Sequence, residues 1–124
     1  MKLLLNLFLA TVLTVFFFTG CSKSEKDILE EVSGVWKISS ETTLMEIKLT
    51  SDKNLIKMGN LEIPVKVKSV DTENSTINLS MIDKDEIEQV WTFKQQWTED
   101  EKSFTLLWTA HDGTQFNLEY VRDL

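Results

Sequence analysis

The chain of 124 residues holds one Cys, one His, one Pro, one Arg and four Gly. A single Cys cannot close an internal disulfide, and one Cys with one His cannot make up the ligand set of a zinc site. With one His and no second thiol, no Ser-His-Asp or Cys-His nucleophile set is visible. Basic residues are the scarcer charge, 13 Lys and Arg against 20 Asp and Glu, for a net charge of −7. That balance argues against nucleic-acid binding, which depends on Lys and Arg meeting phosphate. The sequence has no internal repeat, no low-complexity tract and no long Ser/Gly/Pro linker. It is expected to carry no catalytic residues, no metal and no cofactor, and not to be an enzyme.

Charge is also unevenly placed. Met1-Lys2 is a short basic start, Leu3 to Phe18 contains no charge, and Asn6 is its one strongly polar residue. A basic start, an apolar run and small residues at its end describe a secretory signal peptide. The competing reading is a transmembrane anchor ending at Cys21, but the apolar run is about 16 residues where spanning takes about 20. Every acid lies beyond residue 20.

Phe18-Thr19-Gly20-Cys21 resembles the lipobox of bacterial lipoproteins, with Phe18 where that family usually has Leu. The resemblance implies cleavage between Gly20 and Cys21, a diacylglyceryl thioether on the Cys21 sulfur and acylation of the new amine. It also accounts for the lone Cys, otherwise an exposed reactive thiol. Two or three acyl chains give a stable membrane anchor where one holds only marginally. Removing residues 1–20 leaves 104 residues, and losing Lys2 makes the net charge −8. Ser22 is not the acidic residue that marks inner-membrane retention in such proteins. The resemblance thus implies an outer-membrane lipoprotein facing the periplasm in a Gram-negative host, or the outer face of the single membrane otherwise.

Residues 21–24 form a short lipidated tether and residues 25–124 one domain. Ser24-Glu25-Lys26-Asp27 is a variant capping box, and Ile28, Leu29 and Val32 follow at helical spacing. A two-turn helix is predicted to end near Ser33-Gly34, with Gly34 in the left-handed C-terminal position. The period then becomes two. Trp36/Ile38, Met45/Ile47/Leu49, Leu61/Ile63/Val65/Val67, Ile77/Leu79/Met81, Trp91/Phe93/Trp97, Phe104/Leu106/Trp108 and Phe116/Leu118/Tyr120 alternate with polar residues, with a weaker strand over Asn54–Met58. Turn residues separate these runs, including Ser51-Asp52-Lys53-Asn54, Gly59-Asn60, Asp71-Thr72-Glu73-Asn74, Thr98-Glu99-Asp100-Glu101 and His111-Asp112-Gly113. Pro64 indicates an edge, bulge or strand end. The predicted fold is all-β: a small antiparallel up-and-down barrel or rolled meander of about eight strands behind one short N-terminal helix.

Gly34-Val35-Trp36 after a short helix resembles the Gly-x-Trp entry of lipocalin-like (calycin) barrels. The resemblance implies that Trp36 plugs one barrel end and that Arg122, at the end of the last strand, packs over it. The paired disulfide cysteines of secreted lipocalins are absent.

The remaining candidates are weighed by local chemistry. His111 beside Asp112 could be a general base, but adjacent residues in a Gly-containing loop fit a turn better. Asp83, Asp85, Glu86 and Glu88 could suggest calcium, but Glu88 stands where an EF-hand needs Gly, so solvated loop charge is expected. Trp91, Phe93, Trp97 and Trp108 are candidate lining residues for a ligand pocket, with Gln95 on the same face. A filled core is the competing account, since an eight-stranded barrel is just wide enough for its side chains. Two functions follow as expectations. One is a lipid-anchored, non-catalytic binding module for an envelope protein. The other is a carrier of a small apolar ligand inside the barrel.

Overall fold

The computed structural model describes residues 23–50 and 53–124. Gly20 and Cys21, and with them the signal segment and its cleavage, lie outside the described residues. Helix α1 (Glu25–Val32) begins the domain, and nine strands follow: β1 (Gly34–Ile38), β2 (Leu44–Lys48), β3 (Leu55–Met58), β4 (Leu61–Pro64), β5 (Lys66–Asp71), β6 (Thr76–Ile82), β7 (Glu88–Trp97), β8 (Phe104–Thr109) and β9 (Gln115–Arg122). All ladders are antiparallel, in one sheet of order β4-β3-β2-β1-β9-β8-β7-β6-β5.

The outer positions of that order, β4 and β5, are joined by Val65 alone. One residue is too few to reverse the chain, because even the tightest hairpin takes two. Strands β4 and β5 are therefore one bent run, Leu61–Asp71. Its first half pairs with β3 and its second half with β6. The sheet is thereby rolled into a nearly closed barrel of eight alternating passes, the β1–β9 ladder joining first strand to last. Pro64 supplies no N–H and lies at the bend. A register shift between Val67 and Ser69 then brings Val70 opposite Ile77. The predicted alternation ends at Val67 because of this shift.

Strand alternation fills the interior. Met45, Ile47, Ile56, Ile77, Leu79, Phe93, Leu106 and Leu118 are wholly buried in one cluster. Helix α1 crosses the end where β1 begins and β7 and β9 finish, adding Ile28 and Val32 to that cluster. Burial of each contributes roughly 1.5–3 kcal/mol. The capping box is complete: Ser24 Oγ accepts from the Asp27 N–H at 3.1 Å, and the Ser24 N–H donates back to the Asp27 carboxylate at 3.3 Å.

The helix ends differently from the sequence expectation. Ser33 is its cap, in extended conformation, and its hydroxyl links two elements. It donates to the Leu29 carbonyl at 2.8 Å and accepts from the Leu49 N–H at 3.0 Å. Gly34 is not a left-handed helix terminator; it is buried as the first residue of β1. A Cβ there would lie 3.3 Å from the Arg122 carbonyl oxygen and 3.5 Å from the Tyr120 ring. The glycine is used for close approach of β1 to β9.

Candidate functional site

The barrel has two dissimilar ends. At the helix end, Trp36 Nε1–H donates to the Val32 carbonyl at 2.9 Å, tying the first strand to the helix above it. The Trp36 ring meets Tyr120 edge-on and Phe104 at a tilt, each at 5.5 Å between centroids. Phe104 in turn meets Trp97 at 4.6 Å. Trp36 is buried at this end, beneath the helix. Arg122 stands opposite Val35 in the β1–β9 ladder and is exposed. Among the described residues, Lys23 lies over a ring, its Nζ 3.9 Å from the Trp97 centroid.

Lys23 also pairs with Glu31 at 2.8 Å, and the other Glu31 oxygen accepts from Gln95 Nε2 at 3.1 Å. Lys23, Glu31, Gln95 and Trp97 therefore form a clasp between the start of the chain, the last turn of α1 and the end of β7. Gln95 is 3% exposed, so the polar residue on the aromatic face of β7 is neither at an exposed strand end nor in open solvent. Its Oε1 is buried without a hydrogen-bond partner.

At the far end, the rings of Trp91 and Phe116 each lie 4.7 Å from Trp108, and Phe93 stacks on Trp108 at 6.2 Å. Of the four candidate lining residues, Trp91, Phe93 and Trp108 are brought together here. Trp97 is at the opposite end. Strand β7 is ten residues long, about 33 Å at 3.3 Å per residue, so one inward face visits both ends. Phe116 joins the group from β9. Its place opposite Trp108 could be found only once the β8–β9 register was known. Trp108 Nε1 is buried and has no acceptor. Around this end, Leu61, Ile82 and Ile87 are exposed, at 59%, 63% and 58%.

The acidic loops are explained by turn formation. Asp83 Oδ1 accepts from the N–H groups of Ile87 (3.0 Å) and Asp85 (2.8 Å), and Oδ2 accepts from Gln89. The bond from Ile87 is the main cause holding the Asp83 carboxyl below its ordinary range. Asp112 is lowered chiefly by the Thr114 N–H, Asp71 by the Asn74 side chain and Asp100 by the Thr98 hydroxyl. His111 and Asp112 face different partners: His111 Nδ1 accepts from the Val90 N–H at 3.1 Å, and Asp112 Oδ1 from Thr114 at 2.9 Å. The imidazole thus ties the β8–β9 loop to β7, a long-range bond that no local pattern reveals.

Among the described residues, no group of three or more His, Cys, Asp or Glu is placed to hold a metal ion, and no helix is long and apolar enough to cross a membrane. Comparison with protein-family models, curated proteins and solved structures finds no match to this chain.

Proposed function

We propose that the protein is a lipid-anchored module of the cell envelope that binds a partner and performs no catalysis. In this reading Cys21 carries the acyl chains after cleavage behind Gly20, and the partner is another envelope protein. In a Gram-negative host the anchor is in the outer membrane, with the domain in the periplasm. The observation that supports the reading is how near the fold comes to Cys21. Ser24 caps α1 and Lys23 is fastened to the barrel, so the described fold comes within two residues of the lone Cys.

Intact-mass measurement of the protein extracted from membranes is the test. The expected mass lacks residues 1–20 and gains a diacylglyceryl and an acyl group. Cys21→Ser is expected to abolish the gain and release the protein from salt-washed membranes. A native chain that keeps Met1 would sink the proposal.

A second reading, a carrier of a small apolar molecule, is favoured by one specific observation. Trp108 Nε1–H has no acceptor, yet it lies among Trp91, Phe93 and Phe116. An apolar ligand bearing one acceptor oxygen would match that group, since an unpaired buried donor costs roughly 1–3 kcal/mol. Long-chain fatty acids titrated against Trp emission provide the measurement. A change that disappears in Trp108→Phe supports the carrier; an unchanged spectrum at saturating lipid rules it out.

A further inference from the structure

We propose that the helix end of the barrel is the surface that rests on the bilayer, with the aromatic far end turned away from it. The inference rests on the reading of Cys21 as the acylated residue and adds which face meets the lipid. The clasp sets the geometry. The Lys23 ammonium is held by Glu31 at 2.8 Å and by the Trp97 ring at 3.9 Å, while Glu31 is held by Gln95 on β7. Two peptide units separate Cys21 from Lys23, a reach of roughly 7 Å at about 3.5 Å per residue. The strands run from about 16 Å for five-residue β1 to about 33 Å for ten-residue β7, longer than that reach, so the far end cannot be brought to an anchor that leaves beside Trp97.

The side chains at the helix end suit a lipid headgroup layer. Tyr120 is the exposed member of a row of rings there, Trp97–Phe104–Trp36–Tyr120, whose Trp36 is buried beneath α1. Tyr120, Val121 and Leu124 are 52%, 41% and 59% exposed beyond the Tyr120 end of that row. Amphipathic rings with exposed aliphatic neighbours are what the membrane interface favours. Lys37, Lys94, Gln96, Thr105, Asn117 and Glu119 point outward along β1 and β7–β9, and the far rim also exposes Leu61, Ile82 and Ile87, so the short tether and not apolar exposure decides which end meets the lipid. Glu99, Asp100 and Glu101, on the hairpin beside Trp97, are repelled by anionic lipid. The surface that fits is therefore one of zwitterionic headgroups.

The test uses the full lipidated protein in phosphatidylcholine vesicles. Because the Cys21 sulfur is a thioether there, an introduced cysteine is the one free thiol. Val121→Cys and Ile87→Cys are each labelled with a nitroxide, and collision with lipid-soluble oxygen is compared with collision with an aqueous nickel chelate. The label at 121 is expected to favour oxygen and the label at 87 the chelate. Equal accessibility at both sites, or greater lipid contact at 87, overturns the proposal. Mass measurement on the same sample separates the two readings. A chain without acyl groups defeats the anchor itself, whereas an acylated, membrane-bound chain with no contrast defeats only the orientation.

Discussion

Two tryptophans show how much the surroundings of a single group decide. Trp36 and Trp108 are 1% and 5% exposed, and both offer an indole N–H to the interior. Trp36 finds the Val32 carbonyl and Trp108 finds nothing. Changing either to Phe removes the same atoms, so the difference between the two variants isolates the hydrogen bond. Trp36→Phe is expected to destabilise by about 1–3 kcal/mol more than Trp108→Phe in urea unfolding, because it loses a made bond while the other relieves an unmade one. Equal losses would refute this. Gly34 gives a second prediction. Alanine there must push the Arg122 carbonyl aside by a few tenths of an ångström, costing about 1–3 kcal/mol by overpacking, visible as a lower unfolding midpoint. The inward alternation of Trp36 and Ile38 was legible in the sequence. The reason for the glycine was not, because the crowding comes from β9, more than eighty residues away in the chain. The clasp was hidden for the same reason: Glu31 and Gln95 are 64 residues apart, and no local pattern joins them.

Helix α1 acts as a lid whose position is set by short-range bonds. Its capping box was readable from Ser24 and Asp27, since the chemistry spans three residues. Ser24→Ala is expected to cost about 1 kcal/mol, measured by chemical denaturation, and Asp at that position is expected to restore most of it. Strand positions were also readable, because an in/out alternation needs only a local period. What the period could not reveal was the bend at Val65. Leu61 to Val67 reads as one strand and is one chain run, but it serves two neighbours in succession. Strand β4 consequently pairs with β3 alone, whereas β8 is paired on both sides. Amide exchange is expected to be markedly faster in Leu61–Ile63 than in Leu106–Trp108. The reverse order would contradict the bent-strand description.

At the scale of the whole molecule, four hairpin loops among the described residues use one device, an aspartate accepting bonds from its own turn. Asp71, Asp83, Asp100 and Asp112 are all held below the ordinary value of 3.8 by the bonds their turns donate. A lowered folded value means the unfolded chain binds protons first as pH falls. The stabilisation is therefore complete well above 3.8 and is lost as pH drops through that value toward the folded ones. The unfolding midpoint is expected to be level near neutrality and to fall below about pH 4. Replacing all four with Asn should flatten that decline, and an unaltered acid limb would exclude these loops as its source. Sequence reading placed these acids in turns but could not show that each closes its own loop. Strand β1 carries a different consequence. It lies between β2 and β9, bonded along both edges and antiparallel to each. A pull on the start of the chain, with resistance at the far end of the barrel, runs along the length of β1. It strains the bonds of both ladders together in shear instead of parting them one after another. The fold is thus arranged to bear tension through its first strand, where a terminal hairpin at a sheet edge would peel.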